Sequence, residues 1–180
     1  LAGCYRAGSP GGGEGNFSAL FFLGLSFALP LLSGTIRRDQ GLYLVVCFTL
    51  AMRHSLALIN AFVTPLSLSW GDLYFFHDIG MGKYPVDGQP YGLFLRVLYR
   101  IFGGSFWLGE ESSIVAYSLS LVLLIEIAKL VGLGKNLKVS IVLFGCMPSP
   151  AIHTSTTFRE SLQVLGLLLT IYSMLMLRQW

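Results

Sequence analysis

Of the 180 residues 54% are hydrophobic and only 12% charged, with a mean hydropathy of +0.69, whereas a water-soluble domain carries about 25% charged residues. A soluble globular domain is thereby excluded. The net charge of +3, from 12 basic and 9 acidic residues, is spread over several segments with no basic block of the kind that neutralises a phosphate backbone, which excludes a nucleic-acid partner.

Residues 1–16 form a polar, Gly-rich tail with the stretch SPGGGEG, and residues 17–180 form a membrane domain. The first uncharged span covers residues 17–36 and is followed at once by Arg37, Arg38 and Asp39. The second covers 41–63 and contains Arg53 and His54. Both approach the roughly 20 residues that carry a helix across about 30 Å of hydrocarbon. An Arg at mid-span costs about 2.5 to 3.5 kcal/mol on insertion scales and calls for a partner; Glu126 is the nearest acidic residue within a span, but lies closer to the other face. Residues 64–111 hold Asp72, Asp78, Lys83, Asp87, Glu110 and Glu111 and are too charged to cross. Within them, residues 91–103 repeat Leu93, Phe94, Val97, Leu98, Ile101 and Phe102 at helical spacing, with Arg96 and Arg100 one turn apart. That pattern predicts an amphipathic helix in the membrane surface. Further spans are expected at 112–131, at 137–152 with Pro148 and Pro150 interrupting it, and at 161–177.

The predicted fold is therefore all-α: a polytopic bundle of about five transmembrane helices, with an extracytoplasmic loop carrying an interfacial helix. Arg37, Arg38, Lys129, Lys135, Lys138 and Arg178 fall on one side of such a bundle, which the positive-inside rule makes cytoplasmic. The loop 64–111 is then outside. Cys4, Cys47 and Cys146 show neither CxxC nor Cys/His ligand spacing and read as ordinary residues. A first apolar run without a following cleavage site argues against a signal peptide, and the opening without Met and the end within an apolar run suggest a fragment of a longer protein.

The loop sequence WGDLYFFHDIG places carboxylates and a histidine at the depth of lipid headgroups, where a lipid-linked substrate presents its polar end. A carboxylate there can act as general base on an acceptor hydroxyl. Asp72 is the first candidate and Asp78 the reserve; capping of a loop helix is the plainer role for Asp72. His77 is a candidate substrate hydrogen-bonding group, or a structural histidine. Arg159 can hold a lipid phosphate or snorkel to the headgroups. Glu160 is a further substrate-site candidate, although Thr157-Phe158-Arg159-Glu160 also fits a capping box. Arg96 and Arg100 can bind lipid phosphates generally or the substrate phosphate in particular. No metal site is assigned; a divalent cation held by Asp72, His77 and Asp78 with a substrate phosphate is the one cofactor these residue types admit.

Three stretches in this order, Asp72 followed by Phe75, Phe76 and His77, then GQPYGLFLRVLYRIFGGS, then MPSPAIHTSTTFRES, resemble the GT-C superfamily of membrane glycosyltransferases. The closest likeness is to the branch with protein O-mannosyltransferases and bacterial lipid-sugar-dependent enzymes, and it extends over about residues 41–177. The resemblance implies transfer of a sugar from a polyprenyl-phosphate donor at the extracytoplasmic face, in a multi-pass protein of a prokaryotic plasma membrane or the ER membrane, with Asp72 in the place of the family's acidic residue. A transporter or non-catalytic accessory subunit, and a surface polysaccharide polymerase or ligase, are the competing readings.

The topology is testable in a background whose native cysteines are replaced. Lys83→Cys is expected to label with an impermeant thiol reagent added to intact cells and Lys135→Cys only after permeabilisation; labelling of both from outside overturns the orientation.

Overall fold

The computed structural model describes residues 13–63, 70–146 and 158–178, and among them every regular element is helical. Helix α1 (Gly13–Ala28) runs into a 3₁₀ turn, Leu29–Leu32, and stops at Ser33. Ser33 is extended (φ −75°, ψ 122°), and its hydroxyl accepts the Ile36 amide at 3.2 Å to cap the short α2 (Gly34–Arg38). Asp39 repeats the device, accepting the Leu42 amide at 3.0 Å to cap α3 (Gln40–Leu58). These short polar side chains satisfy backbone donors that a helix start leaves open. They also shift the first span, expected at 17–36, to Gly13–Leu32.

Helix α3 continues through a π turn, Ile59–Val63. Two shorter helices follow, α4 (Trp70–Gly80) and α5 (Pro90–Phe102). Pro90 suits the first turn of α5 because its missing N–H has no partner there, and Gly103, at φ +82°, ends it in a conformation that glycine adopts freely. Ser105 then caps α6 (Phe106–Leu130) by accepting the Leu108 amide at 3.0 Å. The third span thus starts six residues before the expected 112. Glu110 and Glu111, read in sequence as loop residues, lie inside α6 and are 0% exposed. After a 3₁₀ turn come α7 (Leu137–Cys146) and α8 (Phe158–Arg178).

Four helical segments are long and apolar enough to cross a membrane, Gly13–Leu32, Gln40–Val63, Phe106–Leu130 and Glu160–Arg178. The expected fifth, 137–152, is described only as α7, whose ten residues reach about 15 Å at about 1.5 Å per residue; residues 147–152 lie outside the described ones. Apolar side chains on the rim, among them Phe17 and Phe21 on α1, Phe48 on α3 and Leu167 and Leu177 on α8, are exposed, as lipid-facing positions require.

Two apolar clusters divide the packing. Leu42, Val46, Leu50 and Ala57 of α3, Ile114, Tyr117, Leu121 and Ile125 of α6, and Ile141 of α7 fill the bundle. Phe76 and Ile79 of α4, Tyr91, Leu95, Leu98 and Tyr99 of α5, Ala19 of α1 and Trp107 and Leu108 of α6 form a headpiece at one end. At the other end Lys138 pairs with Asp39 at 2.9 Å and Lys129 donates to Thr35 at 3.2 Å. The structure therefore gathers Arg37, Arg38, Lys129 and Lys138 at one end of the bundle, opposite the headpiece; the Lys135 side chain lies outside the described residues.

Helices α3 and α7 meet without a spacer at Gly145, where an added Cβ would lie 2.2 Å from Thr49 Cγ2 and 2.8 Å from Thr49 Cβ. Gly145→Ala is expected to lower stability by about 1 to 3 kcal/mol through overpacking, read as the thermal midpoint in detergent. Combining it with Thr49→Ala should restore part of the loss, and a neutral single variant would refute the close contact.

Candidate functional site

The headpiece contains most of the residues singled out in sequence. Asp72 is the third residue of α4, in the first turn, where a carboxylate is favoured by the helix dipole; its side chain lies outside the described residues. Asp78, in the last turn, is paired with Lys83 at 2.8 Å. His77 turns inward: its Nδ1 is 3.0 Å from the Tyr99 hydroxyl and its ring centroid is 4.8 Å from that of Phe106. Burial lowers its pKa to about 4, against a smaller opposing effect of Asp78. His77 is neutral at pH 7, which suits a hydrogen-bonding post in the headpiece core rather than an exposed contact to substrate. Of the three residues expected to admit a cation, His77 is engaged with Tyr99 and Asp78 with Lys83.

Arg96 also has an internal role. Its Nε and Nη2 donate to the Ile79 carbonyl at 3.2 and 3.0 Å, and Nη2 donates to the Tyr84 carbonyl at 2.6 Å. A guanidinium placed there ties the last turn of α4 to the following loop, and adds to the hydrogen bond that the Ile79 carbonyl already accepts from the Gly82 amide. Arg100, one turn on, is exposed and makes no ion pair or hydrogen bond among the described residues. It borders two clefts. One, of about 640 Å³, lies between α1 and α5 with Glu14, Ser18 and Phe102 in its walls; the other, of about 350 Å³, has Met81, Arg96 and Gly104. Tyr99 lines both.

Behind these clefts stands a carboxylate that sequence reading left in a loop. Glu110 accepts a hydrogen bond from the Asn60 carboxamide, presented by the π turn that ends α3, and such turns recur at functional sites. Around it are Tyr74, Tyr91 and Tyr99. The pKa of each is raised by burial first; Glu110 adds to the effect at Tyr74 and Tyr99, while at Tyr91 the further causes are Tyr99, then Glu160 of α8, then Glu110. Glu160, in the first described turn of α8, therefore faces this group; the rest of the expected capping box, Thr157, lies outside the described residues. Arg159 is in the same turn, with its side chain outside the described residues.

One layer deeper, Glu111 completes a second polar group. Its Oε1 accepts from Trp107 Nε1 at 2.7 Å and its Oε2 is 2.8 Å from His54 Nδ1, at ion-pair distance, while His54 Nε2 is 2.8 Å from Ser26 Oγ. Arg53 does not turn to Glu126: its guanidinium lies 3.6 Å above the Tyr117 ring, and Glu126 accepts from Ser33. The signals that would have located Glu110 and Glu111 are Gly103-Gly104-Ser105 as a helix start before an apolar run and Trp107 and Glu111 four residues apart on one face.

Among the described residues no three His, Cys, Asp or Glu side chains gather in a metal-binding group. No protein-family model, curated protein or solved structure matches the chain.

Because the folded-state pKa of His77 lies below the value of about 6.5 for a free histidine, the unfolded chain binds the proton first. Stability conferred by the neutral ring is complete above pH 6.5, falls as the pH drops towards 4, and levels off below; the loss is at most about 3 kcal/mol. The detergent-solubilised His77→Gln variant should show a flatter thermal midpoint between pH 7 and 4 than the wild type, and an unchanged slope would remove His77 as its source.

Proposed function

We propose that this protein is a membrane glycosyltransferase, or the N-terminal part of one, which transfers a sugar from a polyprenyl-phosphate donor to an acceptor at the extracytoplasmic face. The observation that carries the reading is the outer side of the headpiece. Helix α5 exposes Leu93, Phe94, Val97 and Ile101, and Arg100 stands beside Ile101 between two clefts, with Glu14 in the wall of one and no ion pair or hydrogen bond of its own among the described residues. An apolar stripe ending at an available guanidinium suits a lipid whose chain lies along the stripe and whose phosphate meets the cation. Arg159 is a second phosphate candidate.

In this reading Asp72, at the start of the adjoining α4, removes the proton of the acceptor hydroxyl. The acceptor oxygen bonds to the anomeric carbon as the carbon–oxygen bond to the lipid phosphate breaks, and the phosphate leaves with the electron pair. Asp78 is the weaker base candidate, since Lys83 already holds it. His77 and Glu160 act from the headpiece core, where they orient rather than attack. A transporter is the second reading, favoured by the ionisable side chains of Arg53, His54, Glu110 and Glu111, all buried within the helices; such groups are typical of transport paths.

A transfer assay on the full-length protein with purified polyprenyl-phosphate sugar decides the matter. Asp72→Asn is expected to lower turnover by roughly 10² to 10⁴ and Asp87→Asn to leave it nearly unchanged. Arg100→Gln should raise the KM for the donor more than it lowers kcat. Wild-type turnover in both Asp72→Asn and Asp78→Asn removes these carboxylates as the base, and absence of transfer by the wild-type protein ends the transferase reading.

A further inference from the structure

Arg53 is 0% exposed and stands ten residues before the end of the span Gln40–Val63, so about 15 Å of helix separates it from the nearer membrane surface at about 1.5 Å per residue. That is too deep for its side chain to reach the lipid phosphates. An arginine keeps its charge and offers five N–H donors, yet among the described residues Nε, Nη1 and Nη2 have no hydrogen-bond acceptor. The Tyr117 ring, with its centroid 3.6 Å from Cζ, attracts the cation through its face but leaves those N–H groups unmet. The buried Tyr117 hydroxyl is itself without a partner among the described residues.

A charge at this depth calls for a counter-charge, and the nine acidic residues of the chain do not supply one. At the basic end Asp39 pairs with Lys138 and Glu126 accepts from Ser33. Glu14, Asp72, Asp78, Asp87 and Glu160 belong to the headpiece end, on α1, on α4 and the loop after it, and at the start of α8. Between the two ends Glu110 accepts from Asn60 and Glu111 from Trp107. Among the described residues the titratable side chains that act on Arg53 electrostatically are Tyr117 and Cys146, with no carboxylate among them.

We propose that Arg53 and the Tyr117 hydroxyl form an occluded site for one small inorganic anion, of the charge and size of chloride, between α3 and α6 at the level where α7 ends. A halide accepts N–H and O–H donors from any direction, so it suits a guanidinium and a phenol that meet on one ring. A carboxylate carried on another polypeptide is too large to enter. Phe144 of α7 is stacked on Tyr117 with ring centroids 6.1 Å apart, and Gly145 meets Thr49, one turn before Arg53, without room for a methyl group. Bound there, the anion neutralises the cation and takes up donors that are otherwise desolvated without compensation, and it fastens α3 to α6 at mid-membrane. The site is independent of glycosyl transfer.

The test is the thermal midpoint of the full-length protein, purified without chloride in a non-ionic detergent and measured in sodium chloride and in sodium gluconate at equal ionic strength, gluconate being too large for the site. Chloride at about 100 times its dissociation constant is expected to raise the midpoint by about 5 to 10 °C, and bromide to act likewise. Arg53→Gln should abolish the difference between the salts, whereas Arg38→Gln, at the exposed basic end, should keep it. Equal wild-type midpoints in chloride and gluconate overturn the proposal and leave the counter-charge to a carboxylate of another polypeptide. A chloride effect that survives Arg53→Gln overturns it equally. Should Arg53→Gln fail to fold, Tyr117→Phe serves in its place, since it keeps the ring and removes the hydroxyl: roughly tenfold more chloride should be needed for the same shift, and an unaltered chloride requirement overturns the site.

Discussion

Two adjacent carboxylates inside a helix surrounded by apolar side chains constrain the rest of this molecule. An ionised carboxylate without partners in a medium of low dielectric constant is so unfavourable that the fold must bring polar groups to it or exclude it. Glu110 and Glu111 differ by about 100° in direction around α6, so one set of partners cannot serve both. Asn60 comes to the first, from the π turn at the end of α3; His54, one and a half turns lower on α3, and Trp107 come to the second. The register of α3 against α6 is thus set by two polar contacts at different depths, and apolar packing of Leu50, Ala57, Ile114 and Tyr117 fills the space they define. Removing one member of such a buried pair costs more than the pair contributes, because its partner stays behind uncompensated.

The headpiece follows from the same constraint. Tyr74, Tyr91 and Tyr99 lie within electrostatic reach of Glu110, and the Tyr99 hydroxyl is held by His77 where its ring lines both clefts. Close approach is made possible by glycine: an added Cβ at Gly92 would lie 2.5 Å from Ile79 Cγ2, and one at Gly80 would lie 2.8 Å from Tyr99 Cε2. With Arg96 holding the Ile79 carbonyl of α4 and the Tyr84 carbonyl of the loop after it, the two short helices become one body, although neither is long enough to be stable alone in water.

The periodic features were legible in the sequence. The helix at 91–103 differs by one residue at each end from the observed 90–102. The grouping of basic residues was legible too, since charge avoids hydrocarbon wherever the chain permits. The site was less legible for a physical reason. A carboxylate in a loop and one in a buried helix are the same letter, and counting charges assigns Glu110 and Glu111 to water; only the pairing with His54 and Asn60, 57 and 50 positions earlier in the chain, makes their burial possible. Arg96 and Arg100 show the converse. They look alike in the amphipathic pattern, yet the first is consumed by the end of a neighbouring helix and the second is left available, a distinction that depends on where α4 stops.

The π turn at Ile59–Val63 has a consequence for how this chain can change over time. A π turn holds one residue more than the α-helical turn it replaces, so deletion of a single residue there would restore regular i to i−4 bonding and favour the helix locally. If the residue removed is Ile59, Asn60 also turns by about 100° relative to His54. Local regularity and correct phase are opposed at this point, and a shortened chain could gain helix stability while losing the carboxamide that Glu110 needs.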